Sequence, residues 1–253
     1  MSVSVKAAAG TGAVVLTAVG GYGFSTFSAS GEPDWKPFTA NNLVGKYSEK
    51  TKAYFVGENS DAWWDWSYKN RWSKDKNENR ALHHNFISVT SGKDLKDKCV
   101  AVYGEEKENV TSAYQNGKYL ELEVWRYCSP LDTKPKTIQE TGERTYEGSV
   151  SSYGWVKKEK FVSVTIEENN LFWELRDQEF FGLGNYSTIL TDNSFDQSKD
   201  SLFHNFFKNK SFENRPKIKD VCGDAYKMTD TQEAEDKKVQ VNTIIKFCSL
   251  EGN

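Results

Sequence analysis

Two of the three histidines stand upstream of a cysteine in the same order, His84 before Cys99 and His204 before Cys222. An imidazole beside a thiol can take its proton and leave a thiolate nucleophile, which makes this pairing the chain's sharpest enzymatic suggestion. A reactive thiolate needs an electropositive, partly exposed setting. Here each cysteine instead falls on an apolar helical face and has a second cysteine available, Cys128 for Cys99 and Cys248 for Cys222. A disulfide would remove the nucleophile altogether. The structural reading, a His-Asn-Phe turn beside each bridge, outweighs catalysis, so no catalytic residue is assigned. There is no Cys-x-x-Cys and no other chelating spacing, so neither a metal site nor a cofactor is expected.

Tryptophan offers the second candidate chemistry. Trp63, Trp64, Trp66 and Trp72 lie within one short stretch, and Trp173 stands at the matching place further on. Such a group can form a surface on which sugars or partners stack, or it can fill a core. At helical spacing Trp63 and Trp66 share a face while Trp64 lies to one side. Core packing is the stronger reading, with a binding surface as its rival. Asn109-Val110-Thr111, Asn185-Tyr186-Ser187 and Asn209-Lys210-Ser211 have the acceptor pattern for N-glycans, which matters only in a eukaryotic secretory pathway. No Gly-rich phosphate loop, Gly-x-Ser-x-Gly elbow or defensible carboxylate pair is present. The 33 basic and 36 acidic residues are interspersed and give a net charge of −3, so no basic groove for nucleic acid is expected.

The elements that must position these residues occur twice. Leu95-Lys96-Asp97-Lys98-Cys99 passes Tyr103 and ends at Tyr127-Cys128-Ser129. Ile218-Lys219-Asp220-Val221-Cys222 passes Tyr226 and ends at Phe247-Cys248-Ser249. Upstream, Leu82-His83-His84-Asn85-Phe86 faces Leu202-Phe203-His204-Asn205-Phe206, and Trp63-Trp64-Asp65 faces Phe172-Trp173-Glu174. Tyr47, Phe55 and Val56 face Tyr153, Phe161 and Val162 at identical spacing. This pattern predicts a tandem duplication with repeat domains at residues 43–129 and 148–249, separated by a linker at 130–147.

Leu95, Cys99, Val102 and Tyr103 fall on one helical face, as do Leu120, Val124, Tyr127 and Cys128; the second copy repeats both patterns. Each copy should therefore end in a helical hairpin around a polar loop, with one cysteine early in its first helix and the other at the end of its second. If each unit once folded alone, its bridge lies within it: Cys99–Cys128 and Cys222–Cys248, with Cα atoms about 4.4–6.8 Å apart. Further helices are expected from Ser60 or Asp61 to about Trp72 and from Leu171 to Arg176. Short strands are expected near Ala53–Val56 and Lys160–Ile166, and residues 73–80 read as a solvated loop.

Lys6 is followed by an uncharged, Gly- and Ala-rich run that reads as a signal anchor or cleavable signal at residues 1–30. A membrane helix takes about 20 residues, which this run supplies. Residues 31–42, with Pro33 and Pro37, read as a spacer. The fold expected is mainly α with short β elements (α+β): an N-terminal membrane helix, then two tandem repeated domains, each closed by a Cys-stapled hairpin. Paired cysteines place the domains in an oxidising, extracytoplasmic setting.

The sequence Trp125-Arg126-Tyr127-Cys128-Ser129-Pro130, followed by Thr137-Ile138-Gln139-Glu140, resembles the Trp-Cys-Thr-x-Pro…Thr-[Ile/Val]-x-[Asp/Glu] ending of a large paralogous family of haemotropic mycoplasmas. The second copy lacks the proline ending, and the family's usual member looks like a single unit. The resemblance implies a variable, membrane-anchored surface protein without known enzymatic activity, facing the host cell or its antibodies. The function expected is thus display or interaction without catalysis. The alternatives are a secreted ligand or carbohydrate binder using the Trp patches and, more distantly, a thiol enzyme.

Overall fold

The computed structural model describes residues 31–251 apart from 41, 79, 81, 84, 187–189, 210–213 and 230–236. The predicted membrane segment, residues 1–30, lies outside them. Among the described residues no helix is long and apolar enough to cross a membrane. These residues are mainly helical with one small parallel sheet, an α+β composition.

Helix α1, Asp61–Ser67, runs through a π-helical turn at Tyr68–Trp72 into α2, Ser73–Asn77. Residues 73–80 are therefore not simply a solvated loop. Asp75 follows Arg71 by four residues, shares its face, and is buried. Helix α3, Gly92–Tyr103, starts earlier than apolar spacing suggests, because the Ser91 hydroxyl accepts a hydrogen bond from the Asp94 amide at 3.0 Å. Cys99 consequently sits past the middle of α3 rather than early in it. The loop after α3 pairs β1, Val110–Thr111, in parallel with β2, Tyr119–Leu120, and α4 follows at Glu121–Cys128.

The rest of the chain forms α5 (Ile138–Thr141), α6 (Tyr153–Val156), α7 (Asn170–Phe181), α8 (Ser201–Lys208), α9 (Ile218–Lys227) and α10 (Val241–Cys248). Gly182 ends α7 with φ +65°, a left-handed conformation that costs glycine nothing. The two expected strands shrink to isolated bridges, Pro37 with Val56 in the first and Thr137 with Val162 and Phe161 with Ser249 in the second, since 3-10 turns or helices crowd each extended stretch.

The same contacts recur in the two halves. Disulfides join Cys99 to Cys128 and Cys222 to Cys248, with Cα separations of 5.5 and 5.8 Å. The Cys128 carbonyl accepts from the Val56 amide (3.0 Å) and the Tyr103 hydroxyl (3.0 Å). The Cys248 carbonyl accepts from the Val162 amide (3.0 Å) and the Tyr226 hydroxyl (2.9 Å). Each tyrosine also reaches a second carbonyl, that of Val56 at 3.1 Å or Val162 at 2.9 Å. Each ring stacks on a phenylalanine 4.8 Å away, Phe55 or Phe161.

The segments expected as spacer and linker belong to this framework. The Phe38 amide donates to the Phe55 carbonyl (2.7 Å), and the Ile138 amide donates to that of Phe161 (2.9 Å). Trp35, Phe38, Leu131, Ile138 and Tyr146 are all buried in one continuous core. The Thr137-Ile138-Gln139-Glu140 motif is a capping box. The Glu140 amide donates to Thr137 Oγ1 (3.2 Å), and the Thr137 amide donates to the Glu140 carboxylate (2.8 Å). It opens the second half instead of trailing the first.

Replacing Tyr103 or Tyr226 by Phe keeps the stacked ring but withdraws a hydroxyl from buried carbonyls. Each variant should lose about 1–3 kcal/mol in urea unfolding of the oxidised protein. Losses under ~0.5 kcal/mol in both would show that the carbonyls are satisfied without the hydroxyl. Removing the bridge whose cysteines are 26 residues apart, by Cys222→Ala with Cys248→Ala, should cost roughly 3–4 kcal/mol in the chain-entropy model.

Candidate functional site

All four cysteines are buried and bonded, so neither Cys99 nor Cys222 offers a thiolate in this structure. His84, the proposed partner of Cys99, lies outside the described residues. His204 is buried on α8, its ring packed near Phe195 (6.0 Å) and its Nε2 3.9 Å from the Asp192 carboxylate. Among the described residues no group of three or more His, Cys, Asp or Glu is placed to hold a metal ion.

The tryptophans are core residues. Trp63, Trp64, Trp72 and Trp173 are at most 2% exposed, which leaves no ring face for a ligand. Their indole N–H groups are used internally. Trp63 donates to Glu32 (2.7 Å), Trp64 to the Gly57 carbonyl (3.2 Å), Trp72 to that of Phe86 (2.9 Å) and Trp173 to that of Ser163 (3.0 Å). Trp66 alone of the five is half-exposed. It lies against Trp63, with the Arg71 guanidinium 4.9 Å above its ring. Helix α1 packs against α3, and the rings fill the core, the stronger of the two readings of the sequence.

Several charged groups carry geometry that periodicity does not reveal. Arg71 is buried and donates to the carbonyls of Arg126 (3.1 Å), Ser129 (2.5 Å) and Pro130 (3.2 Å). Arg176 donates to the Ser249 carbonyl at 2.5 Å. These arginines do one job from positions a helical turn apart: Arg71 lies seven residues after Trp64, Arg176 three after Trp173. Asp75 grips Arg126 with both carboxylate oxygens (2.9 and 3.0 Å) and accepts from the Tyr127 hydroxyl (3.0 Å). Burial pushes the Tyr127 hydroxyl up, and the Asp75 carboxylate adds to it, so it remains a donor.

His83, not singled out by sequence, makes the nearest approach to acid–base geometry. Its Nδ1 lies 3.0 Å from Glu123, whose carboxylate also accepts from the His83 amide (2.8 Å). Burial raises the Glu123 pKa, and the histidine opposes that rise. The only visible hint was the place of His83 beside His84 in the matched Leu82–Phe86 segment.

The two halves meet along a seam built on Tyr54. Its hydroxyl donates to Glu179 (3.1 Å), its ring lies 5.2 Å from Phe172, and the Arg176 guanidinium sits 5.2 Å from the same ring. The Tyr186 hydroxyl donates to the Ala53 carbonyl (3.1 Å). Along one side of this seam opens a cleft of about 710 Å³ bordered by Lys36, Lys52, Glu58, Glu179 and Tyr186. Its mixed charges and open shape suit a partner surface more than enclosed chemistry. No protein-family model, curated protein or solved structure matches the chain.

Glu174, on α7, has its pKa pushed up to about 7, chiefly by burial; Lys217 opposes the shift and Asp177 adds to it. A carboxyl whose folded pKa is raised favours folding fully below its ordinary value. That contribution is lost as pH climbs from about 4.5 through about 7. Glu174→Gln should therefore melt close to wild type at pH 4 and above it at pH 8. A constant difference across that window would show that Glu174 titrates normally.

Proposed function

We propose that this chain is a display or interaction protein held at the outer surface of a membrane, without catalysis of its own. The observation that carries the reading is the use of every cysteine in a buried disulfide, one in each half. Such bridges persist in oxidising, extracytoplasmic compartments. The uncharged run after Lys6 supplies the means of anchoring, as a retained helix or as a signal.

The recurring contacts around Cys128 and Cys248 support a tandem duplication, with its units reaching upstream to Lys36 and Lys136. A stapled scaffold of this kind tolerates exchange of exposed residues, because its stability resides in buried rings, bridges and carbonyl contacts. That suits a surface that varies under pressure from antibodies or binds a host-cell partner. The Trp-based carbohydrate reading loses support from the burial of Trp63, Trp64, Trp72 and Trp173.

Full-length protein should fractionate with membranes, be labelled on intact cells by antibodies to α3, and show no free thiol when denatured without reductant. Removal of residues 1–30 should release it from the membrane fraction with both disulfides intact. Recovery of the full chain in the cytosol with four free thiols would overturn the proposal.

A further inference from the structure

Two clefts open at the seam, and they differ in which of their charges are already used. Four carboxylates and three lysines border the narrower one, of about 350 Å³. Each of those lysines has a partner: Lys107 with Glu49 (3.0 Å), Lys134 with Glu121 (3.1 Å) and Lys160 with Glu251 (2.9 Å). The wider cleft, of about 710 Å³, is the reverse. Its two lysines, Lys36 and Lys52, make no ion pair and no side-chain hydrogen bond among the described residues. Of its two carboxylates, Glu179 is held by Arg176 (3.0 Å) and the Tyr54 hydroxyl (3.1 Å), while exposed Glu58 is uncommitted. Two uncommitted cations against one uncommitted anion give this cleft an excess of positive charge, in a chain whose net charge is −3. A partner that matches it is acidic.

The floor beneath these charges is fixed. Tyr186 is buried, donates to the Ala53 carbonyl (3.1 Å) and meets the edge of Trp35, with ring centroids 6.1 Å apart. A preformed floor spares a partner part of the cost of ordering the site. Asn59 from the first half and Asn185 from the second also border the cleft, both exposed and neither with a side-chain partner among the described residues. A primary amide offers donors and an acceptor together, the complement of a peptide group.

We infer that the wide cleft docks a short acidic segment of a partner protein. An Asp or Glu side chain of that segment is set against Lys36 and Lys52, and its backbone amides are set against Asn59 and Asn185. Glu58 repels a second carboxylate, so a segment with one acid among neutral residues fits better than an acidic run. The inference deepens the interaction reading and rests on it for the partner's being a protein.

The test is calorimetric titration of full-length oxidised protein with three capped pentapeptides, Ala-Ala-Glu-Ala-Ala and its Gln and Lys counterparts, and with glucuronic acid as a carboxylate that is not a peptide. The Glu peptide should bind saturably and more tightly than the other three probes. Lys36→Gln with Lys52→Gln should weaken it about tenfold or more, and Glu58→Gln should strengthen it. Lys107→Gln with Lys160→Gln removes the same charge at the narrower cleft and should change the affinity less than about twofold. The unliganded Tm of the Lys36, Lys52 variant should match wild type, since neither side chain has a partner to lose. Absence of saturable binding by the Glu peptide, equal or tighter binding of any other probe, an equal loss in the Lys107, Lys160 variant, weaker binding in Glu58→Gln, or a lowered Tm in the Lys36, Lys52 variant would each overturn the inference. None of these outcomes bears on the membrane fractionation and thiol count that test display, so the two failures are told apart.

Discussion

A helix that ends inside a protein leaves its last carbonyls without partners, and in this chain two helices do so. The C-termini of α4 and α10 are buried at Cys128-Ser129 and Cys248-Ser249. An unpaired buried carbonyl is costly, so the surrounding chain must deliver donors to that point. The donors come from three directions: an extended amide (Val56 or Val162), a tyrosine hydroxyl (Tyr103 or Tyr226) and an arginine (Arg71 or Arg176). Positive charge is also favoured at a helix C-terminus by the aligned peptide dipoles. The disulfide at the same place ties the helix end to α3 or α9. Most of the architecture can be read as the means of bringing these groups to one spot.

The arginines show that the requirement is physical and not tied to one position. In the first half Ser67 donates to the Tyr127 carbonyl (3.0 Å) where the second half has Arg176, and Arg71 arrives from the next turn. The side chain reaches the same carbonyl because positions three and seven after the tryptophan share a helical face. Around this common centre the cores diverge. The first half packs Trp63, Trp64, Trp72 and Trp125, while the second gathers Phe180, Phe195, Phe203, Phe206 and Phe247. Both sets are large and apolar even though ring type differs, which a close-packed core tolerates.

Joining the halves creates surface that neither has alone. Tyr54 and Tyr186 hold the seam with hydrogen bonds to Glu179 and Ala53, and Arg176 serves both its own helix terminus and the Tyr54 ring. Because the backbone of each half is committed to its helix-end cluster, the seam is closed by side chains, and it stays open in two clefts. One is wide and mixed in charge, and the other is narrower and bordered by three lysine–carboxylate pairs. Binding surfaces formed between units can change with few substitutions while each core stays intact.

The sequence by itself determined the mainly helical character, the recurrence of cysteine and tyrosine, and the two local disulfides, because each is local or repeated. Apolar spacing reports a helix face, and a cysteine on that face with a repeated partner has few places to go. Tertiary structure alone decided the rest. Nothing in spacing shows that Trp63 and Trp173 are covered on both sides, since burial depends on what packs from elsewhere in the chain. The same holds for Thr137-Ile138-Gln139-Glu140, polar enough to read as a linker until Ile138 is seen bonded to Phe161. Asp75 read as part of a solvated loop, and Arg71 and Arg176 stood in expected helices without a visible role, because the carbonyls and ions they meet lie 51 to 73 residues away. The narrower cleft was invisible for the same reason: Tyr47 and Trp125 come to border Lys160 and Leu250 only once the chain is folded, more than 30 residues of intervening sequence notwithstanding.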